Sequence, residues 1–170
     1  VTVKDRTDIV YARNIAEEGN SVIAYLVKND QQGFDMYISA EGGVKAPSDI
    51  RALFAQYNSD TSTLGTGWNA NITKIDFAGN FDTSETTTMD ALFYGCTNLT
   101  TVLGIEQLST QNVTNISRLF TNCSSIDNVD LSAWNTSNVK NISRLFQGCT
   151  SLSNVRLNWD ETKTRNFTDI

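Results

Sequence analysis

The chain has 170 residues, a net charge of −6 and a hydrophobic fraction of 39%. That length holds one domain and a cap at most, and the acidic balance excludes nucleic acid or an anionic membrane surface as the main partner, since both select basic patches. No run of 18 apolar residues occurs, so no transmembrane helix and no direct membrane insertion are expected.

In chain order, residues 9–16 are a candidate short helix. Residues 22–27 and 34–38 read as two strands about the polar turn 28–33, a hairpin signal. Pro47, the single proline, follows Gly42 and Gly43 and marks a boundary. Residues 1–45 carry no repeat and are expected to form a small β-rich N-terminal cap, because stacked repeats need their end covered. Residues 58–71, rich in Thr, Ser, Gly and Asn, are expected to form a surface loop.

From there one phrase returns three times. It reads Met89-x-x-Leu92-Phe93-x-x-Cys96, Ile116-x-x-Leu119-Phe120-x-x-Cys123 and Ile142-x-x-Leu145-Phe146-x-x-Cys149, with a degenerate copy at Leu53-Phe54. A second phrase follows each: Leu99-x-x-Val102, Ile126-x-x-Val129-x-Leu131 and Leu152-x-x-Val155-x-Leu157. Its alternation is that of a short strand with one face buried. Thr83, Thr110, Thr136 and Thr162 recur at intervals of 27, 26 and 26. Val113, Ile116, Leu119 and Phe120 lie at i, i+3, i+6 and i+7, the stripe of a short helix. Self-similarity at this period marks a stacked array in which no turn buries its apolar stripe alone. The expected fold is therefore α/β, a solenoid with one short parallel strand and one short helix per turn over residues 46–170. Thr162 to Phe167 resembles the opening of a further turn without its Leu-Phe-x-x-Cys, so the array is expected to be cut short at its C-terminal end.

The L-x-x-V-x-L spacing is that of a leucine-rich repeat. Together with T-x-x-V-x-x-I-x-x-L-F-x-x-C it resembles the BspA-like bacterial surface proteins, closely over residues 83–162 and as a degenerate unit over 46–82. That resemblance implies a leucine-rich-repeat-type solenoid on an exported, cell-surface or extracellular bacterial protein linked to adhesion.

With no histidine in the chain, Ser-His-Asp, Cys-His and H-E-x-x-H arrangements are impossible, and neither a P-loop nor G-x-G-x-x-G is present. Asp76 and Asp130 sit two turns apart, about 10 Å by strand spacing. That exceeds the roughly 6.5–9.5 Å of an inverting carboxylate pair. No enzyme and no cofactor are expected. Cys96, Cys123 and Cys149 share one column; an odd count, no C-x-x-C and no histidine argue for buried free thiols over a metal site or a disulfide. Most of the eight Asn-x-Ser/Thr sequons fall inside the repeat, where Asn and Thr serve caps and turns.

The expected ligand-binding positions are the outward ones of the strand ladder: Lys74, Asp76, Thr101, Leu103, Asn128, Asp130, Asn154 and Arg156. Trp68, in the polar insert, is either a contact residue or a lid on the first turn. Trp134 shares a column with Phe81 and Leu108 and is expected in the core, whereas Trp159 is either a slipped core residue or an exposed aromatic. The function expected is a non-enzymatic recognition or adhesion module for a protein or glycan ligand, host-derived ligands included. The alternative is a structural spacer that displays another domain away from a cell surface.

Overall fold

The computed structural model describes residues 9–14, 23–30, 33–39, 44–55, 71–77 and 81–159. The insert with Trp68 and the segment with Thr162 lie outside them. Nine strands follow in order among the described residues: β1 Ile9–Asn14, β2 Ile23–Lys28, β3 Phe34–Ser39, β4 Val44–Lys45, β5 Ile72–Asp76, β6 Phe81–Asp82, β7 Thr101–Leu103, β8 Asn128–Leu131 and β9 Asn154–Leu157. A five-stranded sheet has the order β1-β2-β3-β5-β7, and β4-β6 and β8-β9 form two-stranded sheets.

The hairpin expected at 22–38 is present as β2 and β3, antiparallel with Tyr25 opposite Tyr37. Residues 9–14 form strand β1 beside it, not the helix expected at 9–16. Strand β3 then pairs in parallel with β5, so the hairpin continues directly into the first repeat.

The expectation of one helix per turn is overturned. Among the described residues no α-helix occurs, and the helical element of the described repeats is the 3-10 turn Ile105–Gln107. The Leu-Phe-x-x-Cys phrase is instead a run of β-turns whose backbone is shared between neighbouring repeats. The amides of Met89, Ala91, Phe93 and Gly95 donate to the carbonyls of Asn115, Ser117, Leu119 and Thr121. Those of Ile116, Arg118, Phe120 and Asn122 donate to Asn141, Ser143, Leu145 and Gln147. Intervening amides close turns within the phrase, Leu92 to Met89, Tyr94 to Ala91 and Cys96 to Phe93. An α-helix would use all these donors internally and leave none for the adjacent repeat.

This path needs two left-handed residues per turn. Ala52, Ala91, Arg118 and Arg144 form one such column, with φ between 54° and 57°. Gly95, Asn122 and Gly148 form the other, with φ of 73°, 63° and 77°. In the second column each is the third residue of a turn closed by the cysteine amide, the position of a type II turn that favours Gly or Asn. A leucine-rich-repeat-type α/β solenoid is therefore not the fold. The described repeats are a stack of turns and short strands joined by parallel hydrogen bonds, without an α-helix.

The core runs along the stack. Phe54, Phe93, Phe120 and Phe146 stack in sequence with ring centroids 5.8, 5.1 and 5.8 Å apart and planes within 19° of parallel. Ile50, Met89, Ile116 and Ile142 form a second buried column, and Trp134 lies in the core with Phe81 and Leu108 as its column predicts. Trp159 is half-buried and packs against that core. The cysteine column is buried at Cys96 and Cys123 and half-buried at Cys149, and all three thiols are free. Each S–H donates to the carbonyl of the preceding turn's phenylalanine, at 3.2, 3.1 and 3.0 Å for Phe54, Phe93 and Phe120.

Polar ladders tie the outside. Thr83, Thr110 and Thr136 are buried, and their hydroxyls donate to the carbonyls of Ser109, Asn135 and Asn158 in the next turn. Asn112 and Asn138 donate backward to Ser84 and Gln111. The buried Asp90 carboxylate accepts Arg118 Nε at 3.0 Å, Arg118 Nη2 at 2.5 Å and Ser117 Oγ at 2.8 Å, so its burial is matched by a bidentate partner.

A candidate ligand cleft where the strand ladder divides

The outward strand positions do form a ladder, but not a continuous one. Strand β5 pairs with β7, Lys74 opposite Thr101 and Asp76 opposite Leu103. Strand β8 pairs with β9, Asn128 opposite Asn154 and Asp130 opposite Arg156. Strands β7 and β8 belong to different sheets. Thr100 N donates to Thr73 O, and Ser153 N to Asp127 O; the matching bond from Asp127 N to Thr100 O is not made. On the turn side the same repeats stay fully bonded, so the division is confined to the strand side.

A change in repeat length falls at this place. From Thr101 to Thr110 the chain advances nine residues, and from Asn128 to Thr136 it advances eight. The extra residue is taken up by Gly104, left-handed at φ 77°, and the 3-10 turn Ile105–Gln107 that it opens. Trp134 Nε1 donates to Ile105 O at 2.8 Å and fixes that turn against the next repeat.

Between the divided strands lies a cleft of about 640 Å3, within the ordinary range of ligand sites. Val102, Ile105, Phe120, Ile126 and Val129 give its apolar wall, and Glu106, Asn128, Asp130, Asn154 and Arg156 its polar one. Four of the eight strand positions expected to bind ligand thus meet in one concavity. Asp130 accepts hydrogen bonds from Ser132 N at 3.0 Å and Ser132 Oγ at 2.6 Å, which, with the Arg156 charge, hold its carboxyl below the usual range. Arg156 Nη1 is 3.8 Å from Asp130 Oδ2, both largely exposed, a loose pair that a ligand can part at little cost.

The other four positions stand elsewhere. Lys74 is bound within the fold: its Nζ donates to Tyr37 Oη at 3.0 Å, lies 2.9 Å from Asp35 Oδ2 and sits 4.9 Å from the Tyr37 ring centre. The hydrogen bonds to Tyr37 and Asp35 raise its pKa. Burial would raise the Asp35 carboxyl, but hydrogen bonds from Lys74, Asn29 and Thr73 carry it below its ordinary value. Asp76 is half-buried, and Thr101 and Leu103 are exposed beside the cleft without lining it. Val155, an inward position in the repeat pattern, is 40% exposed. Strand β9 has β8 on one side and no described strand on the other.

Glu106 and Ile105 belong to the cleft but to no repeat column, so column reasoning passes over them. The signal that locates them is the fall in threonine spacing from 27 to 26.

No curated protein and no solved structure matches the chain. One family does, over residues 49–170, and its match starts at Asp49, the first residue of the parallel bridge series Asp49–Thr88–Asn115–Asn141. The whole repeat stack is covered, and the chain belongs to the family described as "Mycoplasma protein of unknown function, DUF285".

Proposed function

We propose that the chain is a non-enzymatic recognition module of an exported bacterial surface protein, holding a protein or glycan ligand in the strand-side cleft. The observation that carries this reading is the convergence of Asn128, Asp130, Asn154 and Arg156 on a concavity beside Glu106. They offer donors, acceptors and both charges at one place, while the inward positions of strand β8, Val129 and Leu131, are apolar and buried. A sequence without histidine favours binding over acid–base or nucleophilic turnover. The repeat phrases that resemble BspA-like proteins supply the surface and adhesion parts of the reading.

The spacer alternative draws on a different observation. The turn-side ladder and the phenylalanine stack pass unbroken through all four repeats, which suits a stiff stalk. A binding screen against matrix proteins and glycans, repeated with the Asp130→Ala/Arg156→Ala variant, separates the two. Binding that the double variant abolishes supports recognition at the cleft. A screen without any ligand leaves the spacer.

A further inference from the structure

The cleft has two walls of unusual kind, because each is the edge of a short strand. Strand β7 is paired with β5 on one side and strand β8 with β9 on one side, no described strand pairs with the other edge of either, and Val102 of β7 and Asn128, Val129 and Asp130 of β8 line the cleft. Unpaired strand edges present rows of backbone donors and acceptors that another extended chain satisfies. On the turn side of the same repeats that demand is met by the neighbouring turn. We propose that an extended peptide adds as a strand within this cleft, pairing with the remaining edges of β7 and β8 and carrying a basic side chain toward Glu106. The inference rests on the recognition reading above and names the class of ligand.

Three features favour a peptide over a sugar. Backbone edges select a backbone, and strand addition is a general mode of peptide capture. The aromatic residue of the lining, Phe120, is fully buried and offers no open face for stacking on a pyranose. The four residues of β8 extend about 13 Å at ~3.3 Å each, a match for four residues of added strand.

Charge gives the peptide its sign. Asp130 is shared with Ser132 and Arg156, whereas the exposed Glu106 carboxylate has the Gln107 amide at 3.4 Å. Glu106 is thus the uncompensated charge of the lining. Alternation along an added strand places apolar side chains toward Val102 and Val129 and polar ones outward.

The test uses a displayed library of random dodecapeptides selected against the full chain, and in parallel against Asn128→Trp, which fills the cleft from an exposed position. Asn154→Trp, on the adjoining strand, serves the same purpose if the first variant melts early. The expected result is enrichment, on the unmodified chain alone, of peptides that alternate apolar and polar residues and contain Lys or Arg. A synthetic copy should slow amide exchange at 101–103 and 128–131, and Glu106→Gln should weaken it roughly two- to fivefold, the size of one partly exposed ion pair. Equal enrichment on the filled variants overturns the proposal, and so does binding that leaves those amides unprotected. If the library yields nothing while a glycan binds through Asp130 and Arg156, strand addition fails and the recognition reading stands. If neither library nor screen yields a ligand, both fail.

Discussion

The indole N–H of Trp134 donates to the carbonyl of Ile105 across two repeats of unequal length, at 2.8 Å and fully buried. The bond joins the repeat that holds the extra residue to the one that lacks it. Trp134→Phe keeps an aromatic ring in the core but leaves the Ile105 carbonyl without that donor. The expected loss is about 1–3 kcal/mol in urea unfolding, the range for a buried polar group stripped of its partner. Amides of residues 104–108 should exchange faster than in the parent, and unchanged exchange there would show that the 3-10 turn is held by something else.

The phenylalanine stack makes a second prediction. Phe120 has a ring on each side, Phe93 at 5.1 Å and Phe146 at 5.8 Å. Phe120→Ala should cost about 3–5 kcal/mol. Stability in a stacked array is carried by nearest neighbours, so protection should fall in the turns of both Phe93 and Phe146. A melting curve that overlays the parent would refute the stack.

The third prediction separates turn from helix by sign. Asn122 is exposed and left-handed, with φ 63°. In a helix, Asn122→Ala would stabilise by a few tenths of a kcal/mol, because alanine is the better helix former. In the left-handed position it should destabilise by about 1–2 kcal/mol, while Asn122→Gly should be neutral or mildly stabilising. Gly148→Ala should be worse than Asn122→Ala. It shares the left-handed strain at φ 77°, and its new Cβ would meet Asn122 Oδ1. Chemical denaturation of the three variants decides, and an alanine at 122 that stabilises would restore the helix.

Those same residues show what the sequence made legible. The Phe93, Phe120 and Phe146 column, the Thr83, Thr110 and Thr136 column and the Val129–Val155 and Leu131–Leu157 pairs are visible in the period alone; the rings stack, the threonines bond from turn to turn and the two strands pair in register, though Val155 is left 40% exposed. The conformation between the columns did not follow. Ile, Leu and Phe at i, i+3 and i+4 fit a helix and a chain of three-residue-spaced turns equally; the left-handed residues inside that stretch, Ala91, Arg118 and Arg144, carry no residue signature, and the Gly95, Asn122, Gly148 column just past it suits the end of a helix as well as a turn. Half of the expected site assembled because outward strand positions share a face. Lys74 left it because the hairpin, which carries no repeat, supplied Asp35 and Tyr37 beside it. The cleft itself comes from a one-residue change in repeat length, whose position is visible in the spacing but whose outcome depends on packing in three dimensions.

The final prediction concerns the thiols. Burial pushes the Cys149 thiol from 9.0 up to about 12, with the neighbouring Cys123 adding to the shift. Burial likewise raises Cys123 well above its ordinary value. A group whose folded pKa exceeds its unfolded value contributes stability that is complete below the unfolded value and lost as pH rises through the folded one. Thermal melting should therefore hold level up to about pH 8 and fall between 9 and 12 as unfolded thiols ionise and native ones resist. Lysines and tyrosines titrate in the same window, so the comparison is with Cys123→Ala/Cys149→Ala, whose decline should be shallower. The S–H bonds to Phe93 and Phe120 carbonyls direct these thiols along the stack toward backbone oxygen. Alkylation of the native protein at pH 8 should be slow, with Cys149, the least buried of the three, reacting first. In denaturant, without reductant, mass spectrometry should find three adducts; one adduct would reveal a disulfide and end the ladder account of this column.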